Sequence, residues 1–463
     1  MPAGVNLAAM HDSTTGRRSP HRPRRRLPTA CAALLLLFPG IRAGAQIPLP
    51  QLPQLPQLPA NAALGAVTNE LNAVTDPLLQ ATQSVAGSRI AAVRNLIRNN
   101  PATIEADPVG APMRRAEVLA LSPSAQALQQ ALGNGFEVVR RQTLDGLGAE
   151  IVVLRSTTGL ATRDALTRLR TLDPGGVYDF NHIMQSSGTA EPTAAATSSM
   201  PAQRAPATDE RFDLGLIDGG LDAGHPVLKR LRIVQAGCNG HAIATAHGTA
   251  VASLLIGQSS GFAGADPGAS LLAFDVYCGL ATGGAIDTVA EAFALLARQH
   301  VDVVNISLVS PQNALLAQVI RAAQLHGMLI VAAVGNDGPA AAPLYPAAFP
   351  GVIGVTAVNR KRRALPEAGR GTQVQFAAPG ADLLAANANS GLSQVRGTSF
   401  AAPIVAGLLS GLRALPGMDN ESALRRLQLQ AVDLGKPGYD PVYGYGLVGE
   451  SLLHNRKNGS AGD

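Results

Sequence analysis

Three short segments of this 463-residue chain carry the side-chain types of nucleophilic acyl transfer. Gly215-Leu216-Ile217-Asp218-Gly219-Gly220 sets a carboxylate at the end of an apolar run, followed by two glycines. Ala246-His247-Gly248-Thr249-Ala250 puts an imidazole at the start of a small-residue helix, and Gly397-Thr398-Ser399-Phe400-Ala401-Ala402-Pro403 puts a hydroxyl at the start of another. Singly, each segment is weak. An Asp or Ser in such a place is more often a helix cap, and a lone His is usually a satisfied polar residue. Together, in the order Asp, His, Ser, they supply a nucleophile, a base of the type that titrates near neutrality, and a carboxylate to orient that base.

These groups can act only if a frame holds them, and the surrounding pattern describes one. From Phe212 onward, short apolar runs alternate with helical segments. Residues 214–217, 231–234, 270–276, 301–306, 329–334 and 352–358 read as buried strands, with helices near 247–257, 285–300 and 313–326. That alternation predicts an α/β domain with a doubly wound, mostly parallel sheet, reactive residues lying at strand C-termini.

Upstream, residues 113–184 read as strand, helix, strand, strand, helix, strand, a split βαβ unit of the small α+β ferredoxin-like kind. Ser122-Pro123 is expected to cap its first helix, which stops at Gly133-Asn134-Gly135. Thr162 is expected to cap the second, and Val177 to Met184 to form the last strand. The unit holds no clustered nucleophile, base or metal ligand set. Residues 186–208, small, polar and Pro-containing, read as an exposed linker. Before the unit lie a Pro-rich spacer at 46–60, with three Gln-Leu-Pro triplets in residues 51–59, and a segment of helical spacing at 61–112. The catalytic domain is bounded at 209–450, with a tail at 451–463.

The chain resembles the subtilisin family of serine proteases. The likeness runs from Phe212 to Val448 and adds to the three segments Val331-Ala332-Ala333-Val334-Gly335-Asn336-Asp337-Gly338, then Tyr345-Pro346-Ala347-Ala348-Phe349-Pro350 and Tyr443-Gly444-Tyr445-Gly446-Leu447-Val448. It implies that Asp218 orients and stabilises the imidazolium, that His247 is general base then acid, and that Ser399 attacks the carbonyl. Asn336 would donate its amide to the oxyanion beside the Ser399 backbone N–H. Ser307, Leu308, Val309 and Gly335 would line the substrate. The small unit at 113–185 resembles the propeptide of such proteases, which implies an inhibitor that assists folding and is then removed within 185–208.

Departures from the family pattern matter as well. His225-Pro226-Val227-Leu228 lacks the carboxylate that in many members helps to hold calcium, and no metal or cofactor is expected. Val309 stands where glycine is usual beside the substrate, a side chain expected to crowd the P3 or P4 subsite. Phe400 stands where Met is commoner and is expected to repack its helix.

Composition bears on partners and compartment. Residues 1–45 carry a net charge of +6, residues 46–208 of 0 and residues 209–463 of −1, so the excess that makes the whole chain +5 is confined to the start. The rest has no field for polyanions, and nucleic acid is excluded as an expected partner. Seven arginines from Arg17 to Arg42 surround the apolar run Ala30 to Phe38, and Ala43-Gly44-Ala45 follows. This predicts a signal peptide cleaved after Ala45, by the general or the twin-arginine route, and hence an exported protein, periplasmic or secreted, with no membrane span in the mature chain. Cys31 leaves with the signal. Cys238 and Cys278 remain as an even pair in an oxidising compartment, which predicts a disulfide, with two inert buried thiols as the alternative.

Two other readings share the scaffold. An α/β-hydrolase esterase needs Gly-x-Ser-x-Gly and the order Ser, Asp, His, whereas Ser399 comes last and Ala401 fills the second glycine position. A non-catalytic binding protein on the scaffold would normally have lost a triad member.

Overall fold

Residues 214–218 read Leu-Gly-Leu-Ile-Asp, and all five are buried, as a strand covered on both faces by helices requires. In the computed structural model, which describes residues 89–189, 210–387 and 389–455, this strand lies inside a seven-stranded parallel sheet. The order is Val374–Pro379, Ile353–Val358, Leu329–Ala333, Val303–Ile306, Leu214–Asp218, Leu271–Asp275, Ile233–Ala236. Leu214 and Leu216 pack with the helices Ala246–Ile256 and Thr398–Arg413 in one apolar cluster. Ile217 and Leu272 pack on the other side with the helices Ile286–Arg298 and Ala314–Leu325. The expected doubly wound architecture is present. The six expected strands and three expected helices all form, with ends within a few residues of those read from the sequence.

The seventh strand, Val374–Pro379, and the hairpin of Leu383–Ala386 with Leu392–Gly397 are additional to the sequence reading. The first is an edge strand ending in Pro, interrupted by Gln375, and joins the sheet through a register shift at Gly354/Val355. Such a strand has little apolar periodicity to announce it.

The N-terminal α+β unit forms an antiparallel sheet in the order Phe136–Leu144, Ala149–Ser156, Pro112–Leu121, Val177–His182, with Ile104–Ala106 added along the start of Pro112–Leu121. The sheet therefore begins before residue 113. Residues 89–99 are helical, so the segment of helical spacing turns into this first strand rather than running on to 112. Two caps differ from expectation. Ser124, not Ser122, accepts from the Ala127 N–H at the N-terminus of Ala125–Gly133, because Ser122 is turned to the Glu150 backbone N–H. Thr162 is the first residue of its helix, after the N-cap Ala161, and its hydroxyl accepts from the Ala116 N–H instead.

One face of this sheet, with Leu119, Leu144, Ile151 and Val153, shares an apolar cluster with the helices Ile286–Arg298 and Ala314–Leu325. Its own two helices cover the other face. Polar contacts fix the register of the two layers. Asp179 Oδ2 accepts from the Ala314 N–H at a helix N-terminus (2.6 Å), where a carboxylate is favoured by the unpaired N–H groups and the dipole. Arg140 bridges Glu117 and Asp287, and Gln142 donates to Glu291 (2.7 Å). Gly146 lies so close to the helix that a Cβ there would sit 2.0 Å from the Ala294 carbonyl oxygen. Arg89 forms an ion pair with Asp337.

The expected signal peptide, the expected Pro-rich spacer, residues 61–88, residues 190–209, which include most of the expected linker, and residues 456–463 lie outside the described residues. Among the described residues no helix is long and apolar enough to cross a membrane.

Candidate active site

Asp218 ends its strand and is 1% exposed. Its Oδ1 accepts from His247 Nδ1 at 2.8 Å and from the Gly219 N–H at 2.7 Å. The two glycines that follow are required by close approach. A Cβ on Gly219 would lie 2.6 Å from Thr245 Oγ1, and one on Gly220 would lie 2.4 Å from the Ile243 carbonyl oxygen. Gly248, one residue after His247, is pressed in turn against the Gly219 carbonyl. Thr245 caps the His247 helix by accepting from the Gly248 N–H (2.9 Å), and its own N–H donates to the Gly220 carbonyl (2.7 Å). The glycine pair thus lets the strand end and the helix start touch, and the carboxylate meets the imidazole there. Phe400 packs with its ring centroid 5.5 Å from that of His247. It does more than repack its helix: it walls the imidazole.

Ser399 is the second residue of the helix Thr398–Arg413, so its backbone N–H has no intrahelical acceptor. The helix turns out of the preceding strand at Gly397, whose φ of +133° suits glycine. Asn336 follows Gly335 at the end of the strand Leu329–Ala333. Gly335 has φ +94° and a Cβ on it would lie 2.5 Å from Leu344 Cδ1, which fixes glycine there for two reasons. Asn336 Oδ1 accepts from the Thr398 N–H (3.2 Å), leaving Nδ2 as the donor end of the amide, one residue from Ser399.

Among the described residues His247 Nε2 has no hydrogen-bond partner, because Ser399 Oγ is engaged elsewhere: it donates to the Ser307 carbonyl (3.1 Å) and meets Ser187 Oγ at 2.5 Å. Ser187 belongs to a stretch that leaves the N-terminal sheet and runs through the cleft. The strand expected to reach Met184 ends at His182, and Ile183 already pairs with Ala285. The Met184 N–H then donates to the Gly284 carbonyl (2.8 Å), and the Tyr277 hydroxyl donates to the Met184 carbonyl (2.9 Å). Gln185 and Ser186 pair antiparallel with Val309 and Leu308. The Ser187 N–H donates to the Ser307 carbonyl (3.3 Å), and Gly188 and Thr189 pair with Gly397 and Arg396. Ser307, Leu308 and Val309 therefore line an extended peptide. The Val309 side chain is 1% exposed and still admits Gln185 opposite, so it does not block the cleft. Gly335 forms the turn before Asn336 and, among the described residues, shows no pairing with this peptide. Tyr277 and Gly284 were missed by sequence reasoning, since a Gly-rich loop after a strand carries no signal of a peptide edge.

Cys238 and Cys278 form the disulfide, with Cα atoms 5.2 Å apart. The bond closes a loop across 40 residues and should contribute about 2–4 kcal/mol. Reductant is expected to lower the melting temperature and leave activity in place, which a pair of thermal melts with parallel assays checks. Val227, where the family's carboxylate is missing, is 2% exposed and part of the core.

An Asp–His pair at the C-terminal edge of a parallel sheet, a serine at a helix N-terminus, and a groove that holds an extended segment as an added strand thus lie together in one α/β domain. Residues 212–446, just over half of the chain, match the subtilase family, and the chain belongs to that family. It is 30% identical over 206 residues to the minor extracellular protease Epr of Bacillus subtilis (strain 168), covering 44% of this chain and 32% of that protein. It is 28% identical over 288 residues to subtilisin amylosacchariticus of Bacillus subtilis subsp. amylosacchariticus, covering 60% of this chain and 74% of that one. In fold it is similar to fervidolysin from Fervidobacterium pennivorans, with a TM-score of 0.58 and 19% identity over 74% of this chain and 61% of that one. The chain thus spans about a third of the length of the first relative and three quarters of the second.

Proposed function

We propose that the protein is an exported serine endopeptidase, periplasmic or secreted, that cleaves polypeptides through an Asp218–His247–Ser399 triad and an acyl-enzyme, and that it matures by cutting its own chain. The observation that carries this reading is the course of residues 183–189 past Ser399. In the reaction His247 Nε2, unpartnered in this precursor, takes the Ser399 Oγ proton as Oγ attacks the carbonyl carbon. Asp218, accepting from Nδ1–H, holds the ring in the tautomer that leaves Nε2 free and stabilises the imidazolium formed. The oxyanion is met by Asn336 Nδ2 and the Ser399 N–H. The imidazolium then protonates the leaving amine, and water repeats the sequence on the acyl-enzyme.

The pairing register also supports one bond as the maturation site. Ser187 has its N–H on the Ser307 carbonyl, and pairing switches from the Leu308–Val309 side to the Arg396–Gly397 side between Ser187 and Gly188. The Ser187–Gly188 bond is then the scissile one, with Ser187 as P1 and Met184 as P4. The N-terminal unit, held on two helices by apolar surface and by Asp179 and Arg140, would remain as an inhibitor with its tail in the cleft after the cut. N-terminal sequencing of the active form tests this. Gly188 is the expected first residue, and a start before residue 150 or after residue 215 overturns both the site and the inhibitor role. The reading as an esterase has no support in this geometry, since the groove holds an extended peptide on both sides of Ser399.

A further inference from the structure

Asp275 is a buried carboxylate that the catalytic cycle above does not use. It ends the strand beside that of Asp218, in register with it, and is 1% exposed. Its Oδ2 accepts from the Ile243 N–H (2.9 Å), and its Oδ1 accepts from the N–H groups of Tyr277 (2.9 Å) and Cys278 (3.0 Å). The Gly220 N–H is a fourth donor to it. These donors come from three separate segments. Gly220 is two residues after Asp218, Ile243 is four residues before His247, and Tyr277 begins the loop that carries the Met184 edge of the peptide groove.

We propose that Asp275 is a positioning residue for the reaction, one anion that sets the Asp218 turn, the approach to His247 and the peptide-bearing loop against one another. The proposal rests on the triad reading. Its physical basis is that the Asp218–His247 contact joins two chain segments whose other side-chain ties are neutral, those of Thr245 and the Thr249 hydroxyl accepting from the Asp222 N–H. Gly219 and Gly220 permit their close approach, and the Gly220 carbonyl accepts from the Thr245 N–H and hydroxyl, neutral bonds that leave room for a stronger hold. A carboxylate accepting N–H groups from both sides supplies that hold, and charge-assisted bonds of this kind are stronger than neutral ones. Burial pushes the Asp275 carboxyl above its ordinary value while the Ile243, Cys278, Tyr277 and Gly220 N–H groups draw it back. The folded chain thus accepts the cost of desolvating this carboxylate. The Cys238–Cys278 disulfide lies beside the same hub and is the competing explanation for what holds these loops.

Asp275→Asn tests the idea, because an amide keeps one acceptor oxygen but turns an NH2 donor toward N–H groups that need an acceptor. The mature wild-type enzyme, Asp275→Asn and the double variant Cys238→Ser/Cys278→Ser are compared on a peptide spanning residues 183–189. Readouts are kcat, KM, fluorophosphonate titration of the serine, and the downfield proton NMR signal of the Nδ1–H shared with Asp218. The expected result is a loss of about tenfold or more in kcat for Asp275→Asn, the cost of loosened catalytic geometry. KM should stay within about twofold and the Nδ1 proton signal should shift, while the double Cys variant keeps its kcat. Wild-type kcat in Asp275→Asn, with only a lower melting temperature, overturns the proposal. So does an equal loss of kcat in the double Cys variant, and that arm decides alone if Asp275→Asn does not fold. Failure of the triad reading shows itself separately, as labelling that survives Ser399→Ala.

Discussion

Ser399→Ala is expected to yield a full-length chain that never shortens. The substitution removes the proposed nucleophile, whose Oγ meets Ser187 Oγ at 2.5 Å, and should leave the pairing of residues 185–189 with Val309, Leu308, Gly397 and Arg396 undisturbed. The precursor should therefore fold, keep its N-terminal unit docked and stay intact on a gel, while peptidase activity falls on the order of 10⁶-fold. His247→Ala should do almost the same, because the triad acts as a unit and little remains once either member is gone. Activity is measured on a peptide substrate with exogenous protease supplied to remove the N-terminal unit, so that a block in maturation is not mistaken for a block in turnover. Peptidase activity at the wild-type level in Ser399→Ala would sink the assignment of the nucleophile.

Asn336→Ala should cost less and in a different way. The amide is 6% exposed and held at its oxygen end by the Thr398 N–H, so it is oriented before any substrate arrives. A donor fixed in advance and aimed at charge that appears only in the transition state contributes to kcat and hardly to binding. The expected loss is about 10²–10³-fold in kcat with KM little changed, the size seen when a subtilisin loses such a donor. Maturation in cis should slow by a similar factor and still finish. A rise in KM at constant kcat would instead make Asn336 a ground-state binding residue.

The parts of this molecule that were legible in the sequence are those built by local pattern. Buried parallel strands such as Val303–Ile306 are short runs of Val and Ile, and the helices between them have apolar spacing, so the sheet and its layers could be read. The proposed triad residues sit in segments marked by glycine: Gly220 and Gly248 because backbone occupies the space of a Cβ, Gly219 because the Thr245 side chain does, and Gly397 because the chain turns there at φ +133°. What could not be read depends on pairing between distant segments. Nothing local says that Ile183 and Met184 leave the sheet for the cleft, or that Ser124 rather than Ser122 caps a helix, since Ser122 is captured by Glu150 from another strand. Asp275 is the extreme case, an ordinary strand-end acid whose four donors are contributed by segments up to 55 residues away.

The antiparallel pairing of Gln185 and Ser186 with Val309 and Leu308 also bears on how such a chain changes over generations. Under the proposed function one groove has two clients, the tail that would restrain it and the peptides it would later cut, and both would be read by the same backbone edge. On that reading a substitution at Val309, Tyr277 or Leu308 that favours a new diet would also alter how well the chain cuts itself free. Inherited shifts in preference would then come in pairs, one in the wall of the groove and one in residues 184–189, and the short stretch Met-Gln-Ser-Ser-Gly-Thr would be a written record of what this groove accepts.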